Sequence, residues 1–178
     1  MADDQSYIQE RALRRIDPAL VDQFGDPNKH PECQLTREQV DQVLQAGREM
    51  FIAHLAKDGF PIVTVHVYCL IDGEMWSTTV KGRVKAAAFL RDPRTSICIS
   101  TTGLNVPFGG GISIKARAEI VEDRAIVERV CREHAIRYYS SATAQELFFR
   151  SLFTPNRVAL RFDIEKVISW ANIGVRRS

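Results

Sequence analysis

After Thr36 the apolar residues Val40, Val43 and Leu44 recur at helical spacing, and Thr36 with Gln39 makes the pattern of a capping box. This predicts an amphipathic helix from 36 to about 47. The period then falls to two. Residues 50–56, 61–70 and 74–79 read as strands, separated by Lys57-Asp58-Gly59 and Ile71-Asp72-Gly73. Asp and Gly tolerate positive φ with little strain, so both triplets signal hairpins, and the three strands form an antiparallel meander. A short helix is expected over 83–91, stopped by Asp92-Pro93, and a strand over 95–101. Gly109-Gly110-Gly111 reads as a mobile connection, with a lid over a ligand as its other use, and leads into a strand over 112–121. Asp123 is placed to cap a long helix to about Tyr139, with Ile126, Val127, Val130 and Cys131 inward. Glu128/Arg132 and Glu133/Arg137 would pair on its solvent face. A further helix over 143–153 and two closing strands, 157–162 and 167–170, complete the reading. Consecutive hairpins with helices between them predict a mainly β, α+β fold: a small antiparallel β-barrel with flanking helices, not a doubly wound parallel sheet.

Residues 1–35 read as an N-terminal extension, with a short helix over 7–16 ended by Asp17-Pro18 and a breaker-rich loop over 25–31. Residues 36–178 form one domain, as a 178-residue chain suggests. With 45% hydrophobic and 26% charged residues, disorder and coiled coil are excluded as the main architecture. A net charge of +2 is too slight to mark a nucleic-acid binder, so any anion must be held by a local cluster. The four cysteines (Cys33, Cys69, Cys98, Cys131) form no CxxC pair, and no metal site is expected. The opening Met-Ala-Asp-Asp has no apolar run behind it, and no stretch nears the roughly 20 apolar residues of a membrane helix. A soluble, cytoplasmic protein with no membrane or nucleic-acid partner is the expectation.

The chemistry concentrates between Trp76 and Pro93. A strand carrying Ser77, Thr78 and Thr79 runs through Gly82 into a helix whose first turn is crowded by Lys81, Arg83 and Lys85. A helix N-terminus already carries about half a positive charge, so like charges there cost stability unless an anion sits among them. The conflict points to a phosphate site, with a run of solvated surface charges as the other reading. In the preceding strand Thr64, His66 and Tyr68 share one face, and Val63, Val65 and Val67 the other. The polar face suits a wall for a flat polar ring, or equally a solvent- or dimer-facing surface. His54 reads as a core or interface histidine, and His30 and Cys33 as loop residues without a metal partner. The triple glycine lacks the Lys-Ser/Thr of a phosphate-binding loop, and nothing supports hydrolase chemistry.

The runs Asp58-Gly-Phe-Pro-Ile-Val-Thr64, Asp72-Gly73, Thr78-Thr-Val-Lys-Gly-Arg-Val-Lys85 and Leu90-Arg-Asp-Pro-Arg-Thr-Ser96 together resemble the pyridoxamine 5'-phosphate oxidase-like split-barrel flavoproteins. The likeness spans about 40–170 and is greater to the flavin and deazaflavin (coenzyme F-420) oxidoreductases than to the vitamin oxidase. It implies a split β-barrel of FMN-binding type, a homodimer with the cofactor at its interface, and redox chemistry on a small-molecule substrate. Thr78, Thr79, Arg83 and Lys85 would grip the phosphate, and Thr64, Val65 and His66 would line the isoalloxazine. F-420 is the alternative cofactor, with Lys81 and Arg91 lining its tail; storage of flavin or haem, with His66 or His54 as haem ligand, is the non-enzymatic alternative. No residue is assigned as catalytic, though His66 and Tyr68 are the nearest to acid–base candidates. Ala86-Ala-Ala-Phe-Leu90 lacks the Arg-Asn pair common after this lysine, which implies a lighter phosphate grip. The closing residues 168–178 lack the oxidase's Arg-x-His, so pyridoxamine phosphate is not the implied substrate.

Overall fold

Residues 34–171 are described by a computed structural model of the chain; the expected helix over 7–16, the loop over 25–31, His30 and Cys33 lie outside them. The first helix, α1 (Arg37–Ala46), starts at the expected capping box: the Gln39 amide donates to Thr36 Oγ1 at 3.3 Å and the Thr36 amide to Gln39 Oε1 at 2.8 Å. There follow β1 (Glu49–Leu55), β2 (Pro61–Val67), β3 (Cys69–Ile71), β4 (Glu74–Val80), α2 (Val84–Arg91), β5 (Arg94–Ser100), β6 (Gly110–Val121), α3 (Arg124–Tyr138), α4 (Ala142–Leu152) and β7 (Arg157–Ala171). The strands form one antiparallel sheet in the order β2-β1-β5-β6-β7-β4-β3.

The sheet curls until its edges meet. Its concave face encloses Met50, Ile52, Tyr68, Met75, Phe89, Ile97, Ile99, Ile112, Ile114 and Leu160, and its outer face at β3, β4 and β7 is covered by α3 and α4 over Trp76, Val127, Val130, Cys131 and Ala159. Only Tyr68 separates β2, at one edge, from β3, at the other. The chain thus crosses the seam at Tyr68, closing the barrel there. Farther along, β2 and β4 are not hydrogen-bonded neighbours in the sheet, and the barrel is split.

Several sequence expectations change in detail. The run 61–70 is not one strand, because Tyr68 turns wholly inside and its phenol donates to Leu44 O at 2.8 Å. The expected strands 157–162 and 167–170 are one strand, β7, which absorbs an extra residue where its register against β6 shifts between Lys115 and Ala116. Gly110 and Gly111 belong to β6, paired with Ala171 and Trp170. A Cβ on Gly110 would lie 2.1 Å from Trp170 O, so close strand approach accounts for this glycine, while Phe108 packs against the barrel core. Asp123 caps α3 as expected, its carboxylate accepting from the Ala125 and Ile126 amides. Ile126, however, is 37% exposed while Val127, Val130 and Cys131 are fully buried. Glu128 pairs with Arg132 as expected, but Arg137 donates to backbone carbonyls of Leu44, Gln45 and Gly47.

Candidate functional site

The site grows from the junction of β4, α2 and β7. β4 ends at Val80, opposite Arg157 in the register, and the Lys81 amide donates to Asn156 O at 2.8 Å. Gly82, at φ +87°, supplies the left-handed turn into α2. Arg83 is the N-cap, extended and without a side-chain cap bond, and no acidic residue occupies the first turn. The positive end of the helix therefore faces Arg83 and Lys85 with no ion-paired carboxylate among the described residues to offset them.

Arg157 is the third cation, brought from far along the chain by strand pairing. The amine of Lys85 is held below its ordinary pKa by burial, then by Arg83 and Arg157. The guanidinium of Arg157 is lowered by burial, against an opposing effect of Cys131 on α3, and by Arg83, and its Nε donates to Leu152 O at 2.8 Å. Among the described residues no salt bridge engages Arg83, Lys85 or Arg157. Lys81 stands apart, paired with Glu122 at 2.7 Å, and Arg91 donates to Leu55 O at 2.7 Å and to Ala87 O.

β2 and β4 form the lips of the split. His66 is only 8% exposed; its Nδ1 lies 3.3 Å from Ser77 Oγ and its Nε2 lies 2.5 Å from Lys85 Nζ. Burial first, and Lys85 next, push its pKa down to about 4. Two residues beyond this contact on each strand stand Thr64 and Thr79, whose hydroxyl oxygens are buried with no hydrogen-bond partner among the described residues. Strand alternation separates the paired threonines: Thr79 shares the Ser77 face, and Thr78 lies with Trp76 toward α3. Val65 and its neighbour Val63 point outward, 53% and 60% exposed, and with Phe51, opposite Val65 and 46% exposed, make an apolar strip on the outer face.

The structure therefore gathers Lys85 and His66 directly, places Arg83 and Thr79 beside them, and turns Thr78 and Val65 elsewhere. His54 is buried against Phe89, ring centroids 5.7 Å apart, with Nδ1 unpartnered. Tyr68 is a structural residue, its hydroxyl raised to about 12 by burial. Arg157 and the supporting role of Ser77 escape sequence reading, because both depend on pairings across the fold. An open groove of about 950 Å³ lies between Arg48, Phe51, Leu104 and Tyr138 and includes none of the three cations. No cluster of three metal-binding side chains and no helix long and apolar enough to span a membrane occurs among the described residues.

An uncapped helix N-terminus, three cations without a salt bridge among the described residues and a buried hydroxyl without a hydrogen-bond partner occupy this corner of the fold, an arrangement whose electrostatics favour an anion. No curated protein matches the chain. Among solved structures it is similar to a conserved hypothetical protein of Mycobacterium tuberculosis, with 26% identity over 78% of this chain and 86% of that one and a TM-score of 0.67. A heme storage protein of Vibrio cholerae (14% identity, 79% and 98% covered, TM-score 0.59) and an F420 reductase (16%, 75% and 98%, 0.57) share the fold. That fold serves proteins described by different chemistries, so fold alone does not choose among them. The family description pyridoxamine 5'-phosphate oxidase matches residues 36–171, the whole barrel with its helices, and the chain belongs to that family.

Proposed function

We propose that this protein is a homodimeric flavin oxidoreductase that binds FMN at the split of the barrel and acts on a small organic substrate. The observation that carries the reading is the cation cluster at the uncapped N-terminus of α2, with the unpartnered Thr79 hydroxyl beside it. The residues fit a phosphate monoester. Arg83, Lys85 and Arg157 would neutralise its charge, and Thr79 would donate to it. Thr78, turned toward α3, leaves that hydrogen bond to Thr79. The strand Thr64-Val65-His66 would flank the ring, with the free Thr64 hydroxyl as its polar contact.

When bound, the isoalloxazine supplies two-electron redox chemistry; the protein supplies position, charge and exclusion of water. The apolar strip of Phe51, Val63 and Val65 beside this site is the surface on which a second copy would pack. Two observations favour FMN over F-420: Lys81 is paired with Glu122, and Arg91 donates to Leu55 and Ala87 carbonyls, so a longer anionic tail would have to compete with these contacts. The haem alternative lacks a free ligand at His66, whose two ring nitrogens are both engaged; at His54 the unpartnered Nδ1 is buried, with the ring against Phe89.

Titration of FMN and of F-420 into purified protein at low salt, followed by fluorescence, tests the reading. Saturable binding with FMN preferred supports it; preference for F-420 moves the protein to deazaflavin chemistry; binding of neither overturns a flavin function.

A further inference from the structure

The hydroxyl of Ser77 stands between two partners, and one assignment of protons satisfies both. Val67 O accepts only, so the Ser77 hydrogen points to it at 2.7 Å. Ser77 Oγ must then accept from Nδ1–H of His66, which leaves the imidazole lone pair on Nε2. Lys85 Nζ lies 2.5 Å from that nitrogen, and an ammonium has only hydrogens to offer. Donation therefore runs from Lys85 to His66 to Ser77 to Val67, tying α2 to both lips of the split.

We infer that His66 is a positioning residue: a neutral imidazole, locked as the Nδ1–H tautomer, that holds the Lys85 ammonium at the anion site without cancelling its charge. The purpose of this chain rests on the phosphate reading above. A carboxylate at position 66 would hold the lysine while neutralising one of three positive charges. A hydrocarbon would let the lysine turn to solvent. The imidazole takes one ammonium hydrogen and leaves two for a ligand. The titratable groups facing it are Lys85 from α2, His54 from β1 and His134 from α3, and burial and all three oppose its protonation.

Nitrogen-15 NMR of imidazole-labelled, ligand-free protein reads the tautomer directly. The expected spectrum at pH 7 shows His66 protonated at Nδ1 and bare at Nε2, unchanged down to pH 5. An Nε2–H form, or titration near the ordinary value, overturns the inference whether or not any flavin binds. Binding of FMN and riboflavin to the parent, His66→Gln and His66→Leu tests the purpose. A glutamine carboxamide can repeat both hydrogen bonds, so its FMN affinity is expected within about threefold of the parent, whereas His66→Leu loses about tenfold for FMN and, because His66 also flanks the ring, no more than about threefold for riboflavin. Parent-like FMN binding by His66→Leu, or equal losses for both flavins, overturns the positioning role and leaves the flavin reading standing. A parent that binds both flavins equally overturns the phosphate reading and with it the purpose of the chain.

Discussion

Two helix ends in this molecule meet basic side chains, with opposite consequences. At the C-terminus of α1, Arg137 of α3 donates to the carbonyls of Leu44 at 2.9 Å, Gln45 at 2.9 Å and Gly47 at 3.1 Å, while its guanidinium lies 5.0 Å from the centre of the Tyr68 ring. Orphan acceptors and the negative end of a helix dipole receive a cation there, and every local rule agrees. At the N-terminus of α2, Arg83, Lys85 and Arg157 meet the positive end of a dipole and an unused hydroxyl, and none is paired with a carboxylate among the described residues. Charge that satisfies the protein is structure. Charge that the protein leaves unsatisfied points to something outside the chain.

Acid loads both regions hardest. His66 beside Lys85 and His134 one turn before Arg137 both have folded pKa values near 4, against 6.5 in the unfolded chain, with burial the leading cause. Between those values the unfolded state binds more protons, so stability is present above about pH 6.5 and is lost as pH falls toward 4. From pH 7 to pH 5 the loss is on the order of 2 kcal/mol for each histidine. Urea denaturation at both pH values checks this; a flat profile contradicts it. Next in size, Arg137→Ala should cost about 2–3 kcal/mol of stability by stranding the α1 carbonyls, with FMN affinity unchanged. A parallel fall in FMN affinity would erase the distinction between the two helix ends. Smallest is the threonine pair. Thr79→Val should raise ligand-free stability by up to about 1 kcal/mol, because it removes a buried unsatisfied hydroxyl, and lower FMN affinity about fivefold. Thr78→Val should leave that affinity alone, and equal effects of the two would show that strand alternation does not sort the site.

The architecture was legible where signals are local. Thr36 with Gln39, the two Asp-Gly turns and Asp123 each act within a few residues, and each element they predicted is present. The misplaced details depend on distant partners. The break at Tyr68 comes from a phenol reaching Leu44, and the glycines of β6 answer to Trp170 across a strand pair. The site divides the same way. Lys85 and Arg83 were visible as charges in conflict with their own helix, a clash contained in a few adjacent residues. Arg157 carries no such local signal, because only its register against Val80 brings it to the cluster. Strand alternation alone makes His66 part of a ring wall, whereas its bond to Lys85 depends on how the barrel seam closes.

The central claim is that the cluster at α2 exists for a phosphate and not for the fold. Lys85→Ala tests it in one pair of measurements on the same preparation, FMN affinity by fluorescence titration and stability by urea denaturation. The account predicts an affinity loss of about 10- to 30-fold with stability equal to or above that of the parent. Undiminished FMN binding, or a stability loss like that expected for Arg137→Ala, would contradict it.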